Sequence, residues 1–238
     1  GRFAKKIAVS FAEAGDYFPK NRVAWIGQPI RKEVEHPANQ KEALDYFKME
    51  SDLPVILILG GSQGAELVNN VVLDALPRLV SNYQIIHQTG VSNFKMVTDR
   101  AEVVLTNNSH KLRYVSMPFL NPLALRMASG AASIVVSRAG SMLFEIASWG
   151  IPSILIPITN TNMDHQKKNA FNYARAGACS VVEEANATAN ILSSEIDRII
   201  ADKEGYAMMA QNAKAFNKPD AAMKIARALM DIALSHEK

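Results

Sequence analysis

The sequence predicts an α/β fold in which a doubly wound parallel sheet is covered by helices on both faces. Short β-branched runs alternate with amphipathic segments along most of the chain, the pattern of a parallel sheet flanked by its own crossover helices. The longest apolar runs, around Val55 to Leu59 and Ile151 to Ile158, are strand-sized and fall far short of the roughly 18 residues a membrane-spanning helix needs. A length of 238 residues with 48% apolar content supplies a real core, which excludes a disordered chain or a disulfide-stapled miniature.

In order, strands are expected at Ile7 to Phe11, Val23 to Ile26, Val55 to Leu59, Gln84 to His87, Tyr114 to Met117, Ser133 to Ser137, Ser153 to Ile156 and Ser180 to Val182. Helices fill the intervals, one of them from about Ala65 to Leu79. A polar stretch from Gln28 to Gln40, interrupted by Pro29 and Pro37, sets the first two strands apart and reads as a linker. Two strands cannot make a domain alone, so residues 1–28 read as the end of a preceding domain whose larger part is absent. Residues 29–40 are then the interdomain linker, 41–218 the main domain, and 219–238 a C-terminal helix packing back toward the first domain. The methionines beyond Thr188, at helical spacing with Ala and Ile, read as core filler.

Charge names no partner. Lys and Arg total 26 against 23 Asp and Glu, without the basic excess of a dedicated nucleic-acid binder. Residues 1–32 hold seven Lys/Arg and two Asp/Glu, a segment that faces a membrane or phosphates, or is simply solvated. The single cysteine, Cys179, makes no internal disulfide, and no Cys/His set has zinc spacing, so a reducing cytosolic setting is the default and no structural metal is expected. The N-x-S/T matches at Asn107 and Asn186 read as chance in the absence of a signal-peptide segment.

Three segments have the composition of ligand-binding turns. Val55 to Leu59 runs into Gly60-Gly61-Ser62-Gln63-Gly64-Ala65 and then a helix. Glycines there let a ligand approach the backbone, and the helix N-terminus offers N–H groups to a phosphate. Neither the G-x-G-x-x-G fingerprint nor a Walker A loop is satisfied, and a tight βα turn needing glycine for geometry reads as well. Ile134 to Ser137 runs into Arg138-Ala139-Gly140-Ser141-Met142-Leu143, with Glu145 near the first helical turn. A carboxylate there accepts both hydroxyls of a ribose, or merely complements the helix dipole. The third segment, Asn160 to Ala170, gathers Asp164, His165, Gln166 and Asn169 where a loop enters a helix. Adjacent helical residues point about 100° apart, so Asp164 and His165 suit sugar binding better than a catalytic dyad, with simple helix capping as the plain alternative. Arg31 stands at the expected hinge, within reach of phosphate or solvated, and His87-Gln88-Thr89-Gly90 has the form of a strand-end turn lining a cleft.

Together with Gly27-Gln28-Pro29-Ile30-Arg31, these stretches resemble the C-terminal half of the bacterial undecaprenyldiphospho-muramoylpentapeptide β-N-acetylglucosaminyltransferases, over nearly the whole chain. Each stretch alone is weak, whereas five in this order and spacing are specific. The resemblance implies a GT-B transferase with two Rossmann-like domains facing a cleft, this chain being the C-terminal donor-binding domain with a remnant of the N-terminal one. It implies inverting, metal-independent transfer of N-acetylglucosamine from UDP-N-acetylglucosamine to the N-acetylmuramoyl 4-hydroxyl of the lipid I acceptor, giving lipid II in peptidoglycan synthesis. It also implies no cofactor, no nucleic acid, and a cytoplasmic protein peripheral to the inner face of the membrane, the acceptor being held by the missing domain.

Carried over, Arg31 and Ser62 contact the diphosphate-sugar region, with Gly61 and Gln63 in the same substrate-binding turn. Leu120, in Pro118-Phe119-Leu120, presents backbone to uracil. Gly140, Ser141, Met142 and Leu143 offer N–H groups to phosphate, Glu145 binds the ribose, and His165 and Gln166 bind N-acetylglucosamine hydroxyls. Gln28 stands where the family usually has Asn, and the Arg138 to Glu145 interval is one residue short, with Met142 near the usual Thr. The family's glycine-rich, His-containing acceptor loop is absent, so no catalytic residue is expected in this chain. Two other readings stay open on residues alone: a non-catalytic or split-partner UDP-sugar module, and a GT-B transferase with another lipid acceptor.

Overall fold

The computed structural model describes residues 3–61, 64–159 and 165–234. They form two compact units, one of Gly1–Arg31 with Asn217–Lys238 and the other of Lys32–Phe216. In the first unit β1 (Ile7–Val9) pairs in parallel with β2 (Val23–Trp25), Ile7 opposite Val23. The Trp25 indole donates to the Ser10 carbonyl at 3.1 Å, and the Lys218 ammonium sits over its ring at 4.2 Å. This cation–π contact joins the two ends of the chain within that unit.

The second unit is the expected α/β sandwich. Its elements are α1 (Gln40–Phe47), β3 (Val55–Leu59), α2 (Glu66–Asn82), β4 (Gln84–Gln88), α3 (Phe94–Val104), β5 (Tyr114–Met117) and α4 (Pro122–Ala131). They continue with β6 (Ile134–Ser137), α5 (Met142–Trp149), β7 (Ser153–Leu155), α6 (His165–Arg175), β8 (Cys179–Val181), α7 (Ala189–Ala201) and α8 (Lys203–Phe216). Every expected strand is present, most within a residue of its anticipated ends.

All six strands of this sheet run parallel in the order β5-β4-β3-β6-β7-β8. The chain winds outward from β3 to β5, then crosses back to lay β6 on the other side of β3. That reversal makes a switch point between β3 and β6, where Leu59 stands opposite Ser137. In open α/β sheets the crevice at the carboxyl ends of such strands is where ligands bind.

Strand alternation explains why β3 is apolar throughout. Ile56 and Ile58 face one way, packing with Val68, Val72 and Leu76 of α2, Val97 of α3 and Ile196 of α7. Leu57 and Leu59 face the other, packing with Leu44 and Phe47 of α1, Leu125 and Ala128 of α4, and Ile146 and Trp149 of α5. With both faces covered, no position of β3 can be polar at less than the ~1.5–3 kcal/mol that burying each such side chain supplies. Residues 32–40 pack into this unit as well: Val34 is fully buried, and its carbonyl accepts the Trp149 indole N–H at 2.7 Å.

The outermost helices depart from expectation. Met208 of α8, and Met223 and Met230 of α9 (Ala221–Leu234), are exposed instead of filling a core. Each of these helices buries a single residue, Ala213 in one and Ala221 in the other. Helical spacing marks an apolar face, but burial also requires an element to cover it.

Candidate functional site

Side chains cap three helices of the second unit, while α2, α3 and α5 begin without a side-chain cap hydrogen bond. Asn39, Asn121 and Thr188 cap α1, α4 and α7, accepting from the backbone N–H of Lys41, Ala124 and Ile191 respectively. The helices that follow the two glycine turns start differently. Neither Ala65, before α2, nor Ser141, before α5, makes a side-chain cap hydrogen bond. These are the two helices whose N-termini lie at the switch point, each with a positive dipole end.

The first turn leaves β3 through Gly60, whose N–H donates to the Gln88 carbonyl at 3.1 Å. Gly61 and Gly64 both have φ of +79°, which glycine adopts without strain. A Cβ on Gly64 would also meet the Thr89 carbonyl oxygen at 2.6 Å and collide with the Asn93 side-chain amide, so the turn is seated directly on the loop after β4. Ser62 and Gln63, expected at the heart of this turn, lie outside the described residues.

The second turn leaves β6. The Leu143 N–H donates to the Gly140 carbonyl at 3.2 Å and the Phe144 N–H to that of Ser141 at 3.1 Å, which takes Leu143 out of the set of expected donors and leaves Gly140, Ser141 and Met142 in it. Leu143, one of the expected phosphate donors, is buried with its N–H already bonded. Gly140 does not need its glycine for conformation, and a Cβ there would meet nothing within 4 Å. Glu145 occupies the first turn of α5 at 7% exposure.

The loop after β7 and the start of α6 are tied to this second turn. The Asn169 side-chain amide donates to the Ala139 carbonyl at 3.0 Å. Gln166 accepts the Ile158 N–H at 3.2 Å through its side-chain oxygen, which leaves its NH₂ group to donate outward. His165 is exposed at the first residue of α6, and Asp164 lies outside the described residues. Arg138 bridges the same region, donating to the Ile156 carbonyl at 2.9 Å and pairing with Glu184 at 2.6 Å. Glu184 also accepts from the Thr159 N–H and hydroxyl at 2.9 and 2.8 Å. Partial burial alone would raise the Glu184 pKa, but the Thr159 donors and the Arg138 guanidinium outweigh it and hold the carboxyl below its ordinary value.

The strand-end segment after β4 corrects the sequence reading. His87, Gln88 and Thr89 line no cleft; all three are buried and face inward as struts. Gln88 accepts the Leu120 N–H at 3.1 Å, so of the Leu120 backbone expected to face uracil the N–H is already bonded and the carbonyl is the group left for that role. His87 bonds Tyr114 and Asn69, and burial pushes its pKa down to about 3, keeping it neutral. Asn69 itself carried no sequence signal, being one polar residue within an amphipathic helix. Arg31 closes the first compact unit and is exposed. Gly61, Gly140, Ser141, Met142, Leu143, Glu145, Leu120 and Gln166 all belong to the second unit, on the loops that follow its strands or on the first turns of the helices after them. Among the described residues no group of three or more His, Cys, Asp or Glu side chains is placed to hold a metal ion, and no helix is long and apolar enough to cross a membrane.

Comparison with known proteins gives concordant likenesses. The glycosyltransferase family 28 C-terminal domain matches residues 55–225. The UDP-N-acetylglucosamine--N-acetylmuramyl-(pentapeptide) pyrophosphoryl-undecaprenol N-acetylglucosamine transferase of Pediococcus pentosaceus is 34% identical over 223 residues, 93% of this chain and 59% of that protein. Its namesake from Acetivibrio thermocellus is 33% identical over 235 residues, 97% of this chain and 62% of that protein. The chain therefore spans about six-tenths of the length of the curated relatives it matches. Among solved structures, that of Acinetobacter baumannii MurG superposes with a TM-score of 0.68 at 21% identity, covering 95% of this chain and 65% of that one. The UDP-bound structure of Staphylococcus aureus MnaA shares the fold at a TM-score of 0.62 and 14% identity, over 90% of this chain and 55% of that one.

Proposed function

This chain belongs to the glycosyltransferase family 28 C-terminal domain family, and we propose that it is the donor-binding half of an N-acetylglucosaminyltransferase of peptidoglycan synthesis. Its donor is UDP-N-acetylglucosamine, and the acceptor is the N-acetylmuramoyl 4-hydroxyl of an undecaprenyl-diphosphate-linked muramoyl pentapeptide. The observation that carries this reading is the meeting of two glycine turns, at Gly60–Gly61 and Gly140–Ser141, at the switch point of a parallel sheet. Each opens a helix at the switch point, and a helix N-terminus offers backbone N–H groups and a positive dipole end to phosphate. The names of the relatives at 33–34% identity supply the sugar and the acceptor.

In this reading the diphosphate lies between the N-termini of α2 and α5, bonded by the Ser141 and Met142 N–H groups. The space left open at Gly140 admits it. Glu145 accepts the ribose hydroxyls, the Leu120 carbonyl accepts from uracil N3–H, and Gln166 and His165 hold the N-acetylglucosamine hydroxyls. A base outside this chain takes the proton of the acceptor hydroxyl, whose oxygen attacks the sugar C1 with inversion. The C1–O bond to UDP breaks, and the charge gathering on the diphosphate is met by the two helix N-termini, so no metal is required. In the same reading residues 1–28 belong to the acceptor domain, and the protein is peripheral to the cytoplasmic face of the membrane.

Calorimetric titration of UDP and UDP-N-acetylglucosamine into the chain with a chelator present, beside Glu145→Ala, tests the proposal. Saturable binding, weakened about tenfold or more by the substitution, is expected from loss of hydrogen bonds to a charged acceptor. No binding by the folded parent chain would overturn it.

A further inference from the structure

Beneath the first glycine turn runs a continuous line of hydrogen bonds that the donor-binding reading does not use. The Tyr114 hydroxyl is 2.9 Å from His87 Nδ1, His87 Nε2 is 3.0 Å from Asn69 Oδ1, and Asn69 Nδ2 donates to the Thr89 carbonyl at 3.0 Å. Its direction follows from the last bond. A carbonyl accepts only, so the Asn69 amide must turn its NH₂ to Thr89 and its oxygen to His87. Nε2 therefore carries the proton, and Nδ1 accepts from the tyrosine, whose hydroxyl burial keeps protonated. Of the two neutral tautomers only this one pairs Nε2 with the Asn69 oxygen, and full burial disfavours the imidazolium.

The line ends at the place where the glycine turn is seated. Thr89 is the residue whose carbonyl a Cβ on Gly64 would strike, and the Gly60 N–H bonds the carbonyl of the preceding Gln88. Asn69 stands in the first turn of α2, so its bond to Thr89 joins the start of that helix to the loop after β4. His87 and Asn69 are fully buried and touch no solvent, which removes water as a substitute partner.

Resting on the proposed donor site, we propose that His87, locked as the neutral Nε2–H tautomer by Tyr114 and Asn69, is a positioning residue for the diphosphate-binding turn. It acts through Asn69 and sets where the N-terminus of α2 stands relative to the loop at Thr89. The uracil and ribose contacts, on other turns, do not depend on it.

Long-range ¹H–¹⁵N correlation spectra at pH 7 test the first half. A single Nε2–H tautomer is expected; an Nδ1–H tautomer or an imidazolium overturns the assignment. Calorimetry with UDP and ligand-observed NMR with uridine test the second half on Asn69→Leu and the milder Asn69→Ser. Both should weaken UDP about tenfold while uridine stays within about twofold. Thr98→Val, which removes a neighbouring bond to Ser116 outside this line, should lower the melting temperature and leave UDP affinity within about twofold. Asn69 variants that bind UDP like the parent, or that lose uridine and UDP equally, overturn the inference. If the parent chain binds no UDP, the donor-site reading fails by itself. Amide exchange at Gly64 and Ala65 then still decides the positioning claim, faster exchange in the Asn69 variants supporting it and unchanged exchange overturning it.

Discussion

Asn169 of α6 holds the Ala139 carbonyl at 3.0 Å, so a helix that follows β7 is fastened to the turn that follows β6. This single amide joins the segment read as sugar-binding to the segment read as phosphate-binding. Asn169→Ala should therefore separate the two tasks. Affinity for UDP-N-acetylglucosamine should fall about fivefold or more while UDP itself changes little, a loss of roughly 1 kcal/mol for one hydrogen bond. Paired calorimetric titrations measure it, and an equal loss for both ligands would count against separate roles.

Gly64 and Gly140 should respond oppositely to alanine. Gly64 combines φ of +79° with a Cβ position 2.6 Å from the Thr89 oxygen, so Gly64→Ala should cost about 1–3 kcal/mol and lower the melting temperature by several degrees. Gly140 has neither constraint, and Gly140→Ala should leave thermal stability unchanged while its methyl group obstructs UDP. Calorimetric melting and UDP titration of both variants check the contrast.

Glu184 gives the region after β7 an acid sensitivity of known sign. Its folded pKa is held below the unfolded value, so the stability it contributes is complete above the ordinary carboxylate pKa of about 4.3 and is lost as the pH falls through the lower folded value. Glu184→Gln leaves Arg138 without its partner at 13% side-chain exposure, and should cost about 3 kcal/mol near neutral pH. Denaturant unfolding at pH 7 and below pH 4 should show the difference between variant and parent narrowing in acid; a constant difference would refute the assignment.

Asn39 provides a control remote from these turns. Its side chain accepts the Lys41 N–H at 3.0 Å at the start of α1, and Asn39→Ala should cost about 1 kcal/mol through loss of the cap alone. UDP affinity measured below the melting transition should not move.

Much of this protein was determined by its sequence alone. The alternation of β-branched runs with amphipathic segments specified eight strands, and β3 is apolar at every position because helices cover both of its faces. The turns at Gly60 and Gly140 were legible locally as glycine between a strand and a helix, although only Gly61 and Gly64 of the first turn adopt the positive φ that glycine permits. What the tertiary structure decided is everything that depends on which strands become neighbours. Ser137 comes to lie opposite Leu59, 78 residues away, only because the chain crosses back past β3 to lay down β6, and this crossing makes two separate turns into one crevice. The same non-local pairing turned His87 and Gln88 from presumed cleft residues into buried struts for Asn69 and Leu120, and paired Arg138 with Glu184. Periodicity reports which face a residue takes; only the assembled sheet determines what meets it there.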